Sequence, residues 1–350
     1  MLLASLILFS IITLLVIRYR AEDHSQYDKP QASLVISEDK VSPQHNDVVD
    51  LLKQYHRHSS LDVKKARIHM EEFFKRKIES VTFTPINIDG LPAEWVIAEG
   101  ADPKKRLLYI HGGAFRIGSP KSHRYITSEL SRLAGISVLA IDYRMQPEFK
   151  TIDCHMDVRK AYKWIIENGP DKVEVCEYFF VAGDSAGGNL SLSVVAWARD
   201  QSLRPVDGVI AMAPLTDSTM GAASWKTNQH SDPFLGPSMG RLILLPRFLI
   251  ALIMRLPIGR PVNDPEVSPL LGRLSGLPKT LIQVSQDEML FDDSQRYANK
   301  AIAAGNDLTL QVWPKMVHIF QAFGPELPEA NDALRRISKF IENCTEQARP

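Results

Sequence analysis

Gly183-Asp184-Ser185-Ala186-Gly187-Gly188 follows a short apolar run, Tyr178 to Ala182, and precedes a helix-compatible stretch, Ser191 to Ala198. The pattern G-x-S-x-G between a strand and a helix makes a strained turn that lifts a serine hydroxyl clear of the sheet as a nucleophile. The backbone packs closely there, which explains the small residues around Ser185. Such a serine needs a base, an acid to orient the base, and N–H donors for the oxyanion. After Ser185 the chain has two histidines, His230 and His318. His318 follows the apolar run Leu308 to Trp313, where a loop can reach over a sheet; His230 lies in a proline-rich stretch. Four acids, Asp287, Glu288, Asp292 and Asp293, come after the apolar run Thr280 to Val284, and the residue types do not choose among them. The N–H of Ala186, with those of Gly112 and Gly113 in His111-Gly112-Gly113, are the candidate oxyanion donors. His111 and Asp184 flank this set and read as structural supports. His56, His58 and His69 lack a surrounding carboxylate pattern and read as surface side chains.

These residues need a scaffold with strand ends on one edge. Val81 to Ile88 and Ala93 to Ala98 alternate in polarity around Asp89-Gly90, a hairpin pattern. Strands are then expected at Arg106 to Ile110, Ile136 to Ile141, Tyr178 to Ala182, Val206 to Ala213, Thr280 to Val284 and Leu308 to Trp313. Helical patterns cover Asp47 to Gln54, Leu61 to Ile78, Tyr125 to Leu133, Met156 to Glu167, Ser294 to Ala304 and Ala330 to Ile341. Strands alternating with helices predict an α/β protein with a largely parallel sheet. The alternation fails between Leu215 and Pro269, where six prolines interrupt the pattern and Leu242 to Met254 is apolar. A helical cap over the sheet end is expected there.

The 350 residues carry 41 Lys plus Arg and 41 Asp plus Glu, so no global field favours nucleic acid. Three widely spaced cysteines suggest neither a disulfide framework nor a zinc site. Met1 to Ile17 is apolar and is followed by Arg18-Tyr19-Arg20. This reads as an uncleaved N-terminal membrane anchor, with the positive-inside rule placing the body of the protein in the cytoplasm. Three regions are expected: the anchor, residues 1–20; a linker and N-terminal cap helices, 21–79; and a catalytic domain, 80–345, with a cap insertion at about 216–265.

From Asp47 to Phe340 the chain resembles the α/β-hydrolases similar to hormone-sensitive lipase, in their bacterial esterase branch. The resemblance is carried by His111-Gly112-Gly113-Ala114-Phe115, Asp142-Tyr143-Arg144, Gly183 to Gly188, Ser231-Asp232-Pro233-Phe234, Val267 to Leu270, Leu274 to Pro278 and Met316-Val317-His318. The family pattern [DE]-x-L-x-D-[DE] matches Glu288 to Asp293, and its first position implies Glu288 as the triad acid. Two departures stand out. Ala114 occupies a position where many members have Gly, and Gln146 to Ile152 replaces the usual run after D-Y-R. The resemblance implies an α/β-hydrolase fold, a mostly parallel sheet flanked by helices with a helical cap. It implies a serine carboxylic-ester hydrolase acting on small to medium acyl esters through Ser185, His318 and Glu288. No metal or organic cofactor is expected. The expected partners are a small-molecule ester and, through the N-terminal segment, a membrane; a homodimer stays open, and no nucleic acid is expected. A lactonase or amidase would use the same triad, and non-catalytic binders also occur on this fold.

Overall fold

A computed structural model describes residues 24–29, 33–35 and 41–347. Its centre is a nine-stranded sheet: β1 (Ser33–Val35), β2 (Val81–Ile88), β3 (Leu91–Ala98), β4 (Asp102–Ile110), β5 (Ile136–Ile141), β6 (Tyr178–Asp184), β7 (Gly208–Met212), β8 (Thr280–Ser285) and β9 (Leu308–Trp313). The spatial order is β1-β9-β8-β7-β6-β4-β5-β3-β2. All pairings are parallel except β2 with β3 and β3 with β5. The inner strands read as continuous apolar runs because both sheet faces are covered; every residue of β5, β7 and β8 is buried. The strand after the Asp89-Gly90 turn keeps the expected antiparallel register, Ile88 opposite Leu91.

Two cores lie on opposite faces. One packs α4 (Thr151–Glu167), α5 (Ala186–Asp200) and α9 (Phe291–Ala303) on the sheet through Val158, Tyr162, Leu190 and Tyr297. The other packs α1 (Gln44–Arg57), α2 (Val63–Phe73), α3 (Arg124–Ala134) and α10 (Pro328–Gln347) through Leu52, Met70, Leu130 and Leu334. In α10 the buried Ala330, Ala333, Leu334, Ile337 and Ile341 recur at helical spacing, so one stripe faces the sheet. Between β7 and β8 the chain forms the short α6 (Ser224–Thr227) and α7 (Gly236–Met239), then α8 (Arg247–Ile258).

Two expectations are corrected. The linker expected at the start of residues 21–79 contains structured pieces: β1 adds to the sheet edge beside β9, with Ser33 opposite Leu310, and residues 24–29 lie against α9. A three-residue strand carries no alternation long enough to read. The membrane placement is also overturned. Among the described residues no helix is long and apolar enough to cross a membrane. The apolar run Leu242 to Met254 yields a 3-10 turn, Leu242–Leu244, and the 12-residue α8. Twelve helical residues rise about 18 Å against a hydrocarbon core of about 30 Å. The stretch 1–20, expected as the anchor, lies outside the described residues, and the described residues give no support to the cytoplasmic placement that depended on it.

Candidate active site

Ser185 links β6 to α5 with φ +51° and ψ −115°, a conformation L-residues rarely adopt. Its neighbours make that turn sterically available. A Cβ on Gly187 would lie 1.9 Å from the carbonyl oxygen of Ile110, and one on Gly183 would lie 2.5 Å from that of Gly187. The Ser185 N–H donates to Met212 O at 2.8 Å, tying the turn to β7. Ser185 is 8% exposed. Its Oγ makes no hydrogen bond among the described residues; such contacts are often long before substrate binds.

The loops after β8 and β9 bring an acid to a histidine. His318 Nδ1 lies 3.0 Å from Glu288 Oε1, and both side chains are buried. Glu288 Oε2 accepts from the Ser285 N–H at 3.1 Å, so the carboxylate is held at both oxygens. The other acids are engaged elsewhere. Asp287 Oδ2 accepts the Lys315 N–H at 2.6 Å, clamping the histidine loop to the acid loop. Asp292 Oδ2 accepts the Ser224 N–H at 2.7 Å. Asp293 is buried and accepts from Thr216 N, Asp217 N and Trp225 Nε1, joining α9 to the cap. His230 lines a separate cleft on the cap. Burial pulls the His318 pKa down, but the charge and hydrogen bond of Glu288 outweigh it, with smaller help from Asp232 and Asp184, and the net direction is upward.

Asp232 is a supporting residue to which the sequence reading gave no role, although it stands in Ser231-Asp232-Pro233-Phe234. Its Oδ1 accepts from Phe234 N and Leu235 N at 3.0 and 2.9 Å, and its Oδ2 accepts from Met289 N at 3.0 Å. The adjacent Phe234 ring lies 6.0 Å from that of His318, centroid to centroid. A D-P pair with two N–H groups just after it was the available signal for this turn.

The loop after β4 differs from expectation by one residue. The Gly112 N–H donates to Asp184 Oδ1 at 3.1 Å, so it is already satisfied and points away from the oxyanion role expected of it. The next residues turn sharply: φ is +113° at Gly113, +55° at Ala114 and +60° at Phe115. A Cβ on Gly113 would meet Ile117 O at 2.1 Å. Among the described residues the N–H groups of Gly113, Ala114 and Ala186 have no protein acceptor. Asp184, fully buried, also accepts from Tyr109 OH at 2.7 Å and from His123 Nε2 at 3.3 Å. Burial raises the Asp184 pKa and lowers that of His123, yet their mutual attraction wins: the acid ends below its usual value and the imidazole above. A buried ion pair therefore braces the loop from behind. His111 stacks on Tyr143 at 4.3 Å, and the Tyr143 hydroxyl donates to His111 O at 2.8 Å. Burial takes the His111 imidazole down to about 3, leaving it neutral and structural. His123 belongs to no motif read from the sequence, and its only signal was the need of a buried Asp184 for a donor.

From the cap side, Arg67 of α2 spans two loops: its Nε donates to Arg116 O at 2.8 Å and its Nη2 to Gln146 O at 2.8 Å. The N-terminal helices thus hold the loop after β4 against the altered run after Asp142-Tyr143-Arg144.

Comparison with known proteins bears on the family and the fold. The family model described as the alpha/beta hydrolase fold matches residues 107–322. The chain is 32% identical over 262 residues to an acetyl-hydrolase of Streptomyces hygroscopicus, covering 74% of this chain and 82% of that one. It is 35% identical over 268 residues to the carboxylesterase/phospholipase LipF of Mycobacterium tuberculosis, covering 75% and 69%. A crystal structure of an esterase from the bacterial hormone-sensitive lipase family superposes with a TM-score of 0.76 at 30% identity, covering 87% of this chain and 99% of that one.

Proposed function

The chain belongs to the α/β-hydrolase family, among the esterases of the hormone-sensitive lipase type, and from that premise we propose that its carboxylic-ester hydrolysis runs through Ser185, His318 and Glu288. Ser185 Oγ attacks the ester carbonyl while His318 Nε2 takes its proton. Glu288 fixes the tautomer through Nδ1–H and stabilises the imidazolium. The tetrahedral oxyanion is received by the N–H groups of Gly113, Ala114 and Ala186, with Gly112 replaced by Ala114 in that role. Each such donor contributes about 2.7–4 kcal/mol where it has been removed in other enzymes. His318 then protonates the leaving alcohol, and water, deprotonated by the same imidazole, releases the acid from Ser185.

The observation that carries this reading is the buried 3.0 Å contact between His318 and Glu288 at the strand ends that also hold the strained Ser185 turn. Small to medium acyl esters are the proposed substrates, a range that the acetyl-hydrolase among the relatives supports. The test is turnover of p-nitrophenyl esters of graded acyl length by wild type and Ser185→Ala. Wild type should be fastest at short to medium chains, and the variant should lose a factor of about 10⁴ or more in kcat while keeping its melting temperature. A variant retaining a tenth of wild-type kcat would remove Ser185 from the mechanism.

A further inference from the structure

Near the proposed triad lies a second cleft of about 630 Å³ between α1 and the cap. The Phe234 ring neighbours both: its centroid is 6.0 Å from the His318 ring and 6.3 Å from that of His56, which lines the cleft. The remaining titratable lining is Lys53 and Arg57 from α1, and His230, Asp232 and Arg241 from the cap. Three permanent cations therefore face one acid. That acid, Asp232, is only 2% exposed and has its carboxylate oxygens taken by three backbone N–H groups. Lys53 is paired with Asp50 at 2.8 Å. Arg57 and Arg241 have no ion pair among the described residues. Beyond Asp232 the cleft lining holds no acid, and residues 233–263 of the cap contain four arginines and no Asp or Glu.

From this arrangement we propose that the cleft binds an oxyanion, a carboxylate or phosphate group, held between Arg57 and Arg241. Guanidinium groups suit such ligands because their planar fork pairs with two oxygens at once. The anion comes either from the far end of an ester whose reacting carbonyl sits at Ser185 or from a free ion beside the site. The first source rests on the esterase reading above; the second does not. Leu244, 74% exposed, lines the same cleft and gives an apolar lip beside the charge, as an amphiphilic substrate would require.

The experiment uses the full chain and the charge-reversal variant Arg57→Glu/Arg241→Glu, with Arg241→Gln as a milder second variant. One arm compares kcat/KM for a p-nitrophenyl hemiester of a long dicarboxylic acid with that for the neutral p-nitrophenyl ester of equal length. The other follows the melting temperature with added inorganic phosphate at constant ionic strength. A substrate-borne anion predicts that the anionic-to-neutral ratio of kcat/KM falls at least tenfold in the double variant, mainly through KM, and severalfold in Arg241→Gln. A free anion predicts instead an unchanged ratio, with phosphate raising the melting temperature of wild type only. If the variants alter neither readout, the proposal is overturned. Turnover of the neutral ester by wild type reports on the esterase reading separately, so the two failures are distinguishable.

Discussion

At the scale of the residue, the site turns on which of two adjacent acids serves His318. Asp287 and Glu288 are chain neighbours, and their carboxylates do different work: one holds Lys315 N–H, the other His318 Nδ1. Glu288→Gln should therefore lower kcat by several orders of magnitude, since removing an orienting acid elsewhere costs about 10⁴. Asp287→Asn should lose roughly tenfold at most. Side-by-side kcat values decide, and greater damage in Asp287→Asn would move the triad acid by one residue. The same pair sets a pH dependence. Only the neutral imidazole can accept the Ser185 proton, and Glu288 holds the His318 pKa above its ordinary 6.5. Wild-type kcat/KM should rise with pH through an inflection above 6.5, and Glu288→Gln should move that inflection downward. A pH–rate profile of both proteins on a neutral ester checks the direction.

At the scale of the element, the Ser185 turn is an agreement between β4, β6 and α5 on how closely backbones may approach. A Cβ added at Gly187 would fall 1.9 Å from a β4 carbonyl oxygen, whereas one added at Gly188 would lie 2.9 Å from Pro214 Cβ and 3.0 Å from its Cα. Gly187→Ala should cost more than the about 1–3 kcal/mol usual for overpacking, because a β4 carbonyl cannot move without breaking the sheet. Gly188→Ala should be milder. Urea melts of the two variants give the comparison, and equal midpoints would contradict it. This turn was legible because its constraint is local: a short apolar run, small residues at fixed offsets and a helix all lie within a few residues. The fully apolar strands were equally legible, since burial on both faces writes an unbroken run such as Ile136 to Ile141. The role of Gly112 was not. Whether its N–H faces the substrate or Asp184 depends on a carboxylate 72 residues away, itself held by His123 and Tyr109. No periodicity encodes that. The four acids after β8 posed the same problem. Their partners, Lys315, His318, Ser224 and Trp225, lie on other loops, and only the resemblance to a family chose Glu288 in advance.

At the scale of the whole molecule, the N-terminal part of the described chain is strapped across the sheet edge. Asp28 pairs with Arg296, whose Nη2 donates to Asp28 Oδ2 at 3.0 Å. Asn299 Nδ2 donates to the carbonyls of Tyr27 and Lys29 at 2.6 and 2.8 Å. Asp28 is 38% exposed at its side chain, so the pair should contribute no more than about 1 kcal/mol. Asp28→Ala should thus leave kcat and the melting temperature nearly unchanged while speeding proteolytic cleavage near residues 24–35 severalfold. Limited proteolysis followed by mass measurement tests this, and an unchanged cleavage rate would show that β1 pairing alone secures the segment.

The strap also imposes an order in time. During synthesis residues 24–29 and 33–35 leave the ribosome early, but the surfaces they dock on, α9 and β9, are made more than 250 residues later. Contacts so distant along the chain are slow to form, because a long loop must close before they return any free energy. The first described strand is therefore among the last to find its place. Until it does, the β9 edge presents unpaired backbone groups, the feature by which sheets recruit foreign strands. Arg296 and Asn299, buried side chains of α9 that hold residues 27–29, would then matter most to the newly made protein, by shortening the time that edge stays open.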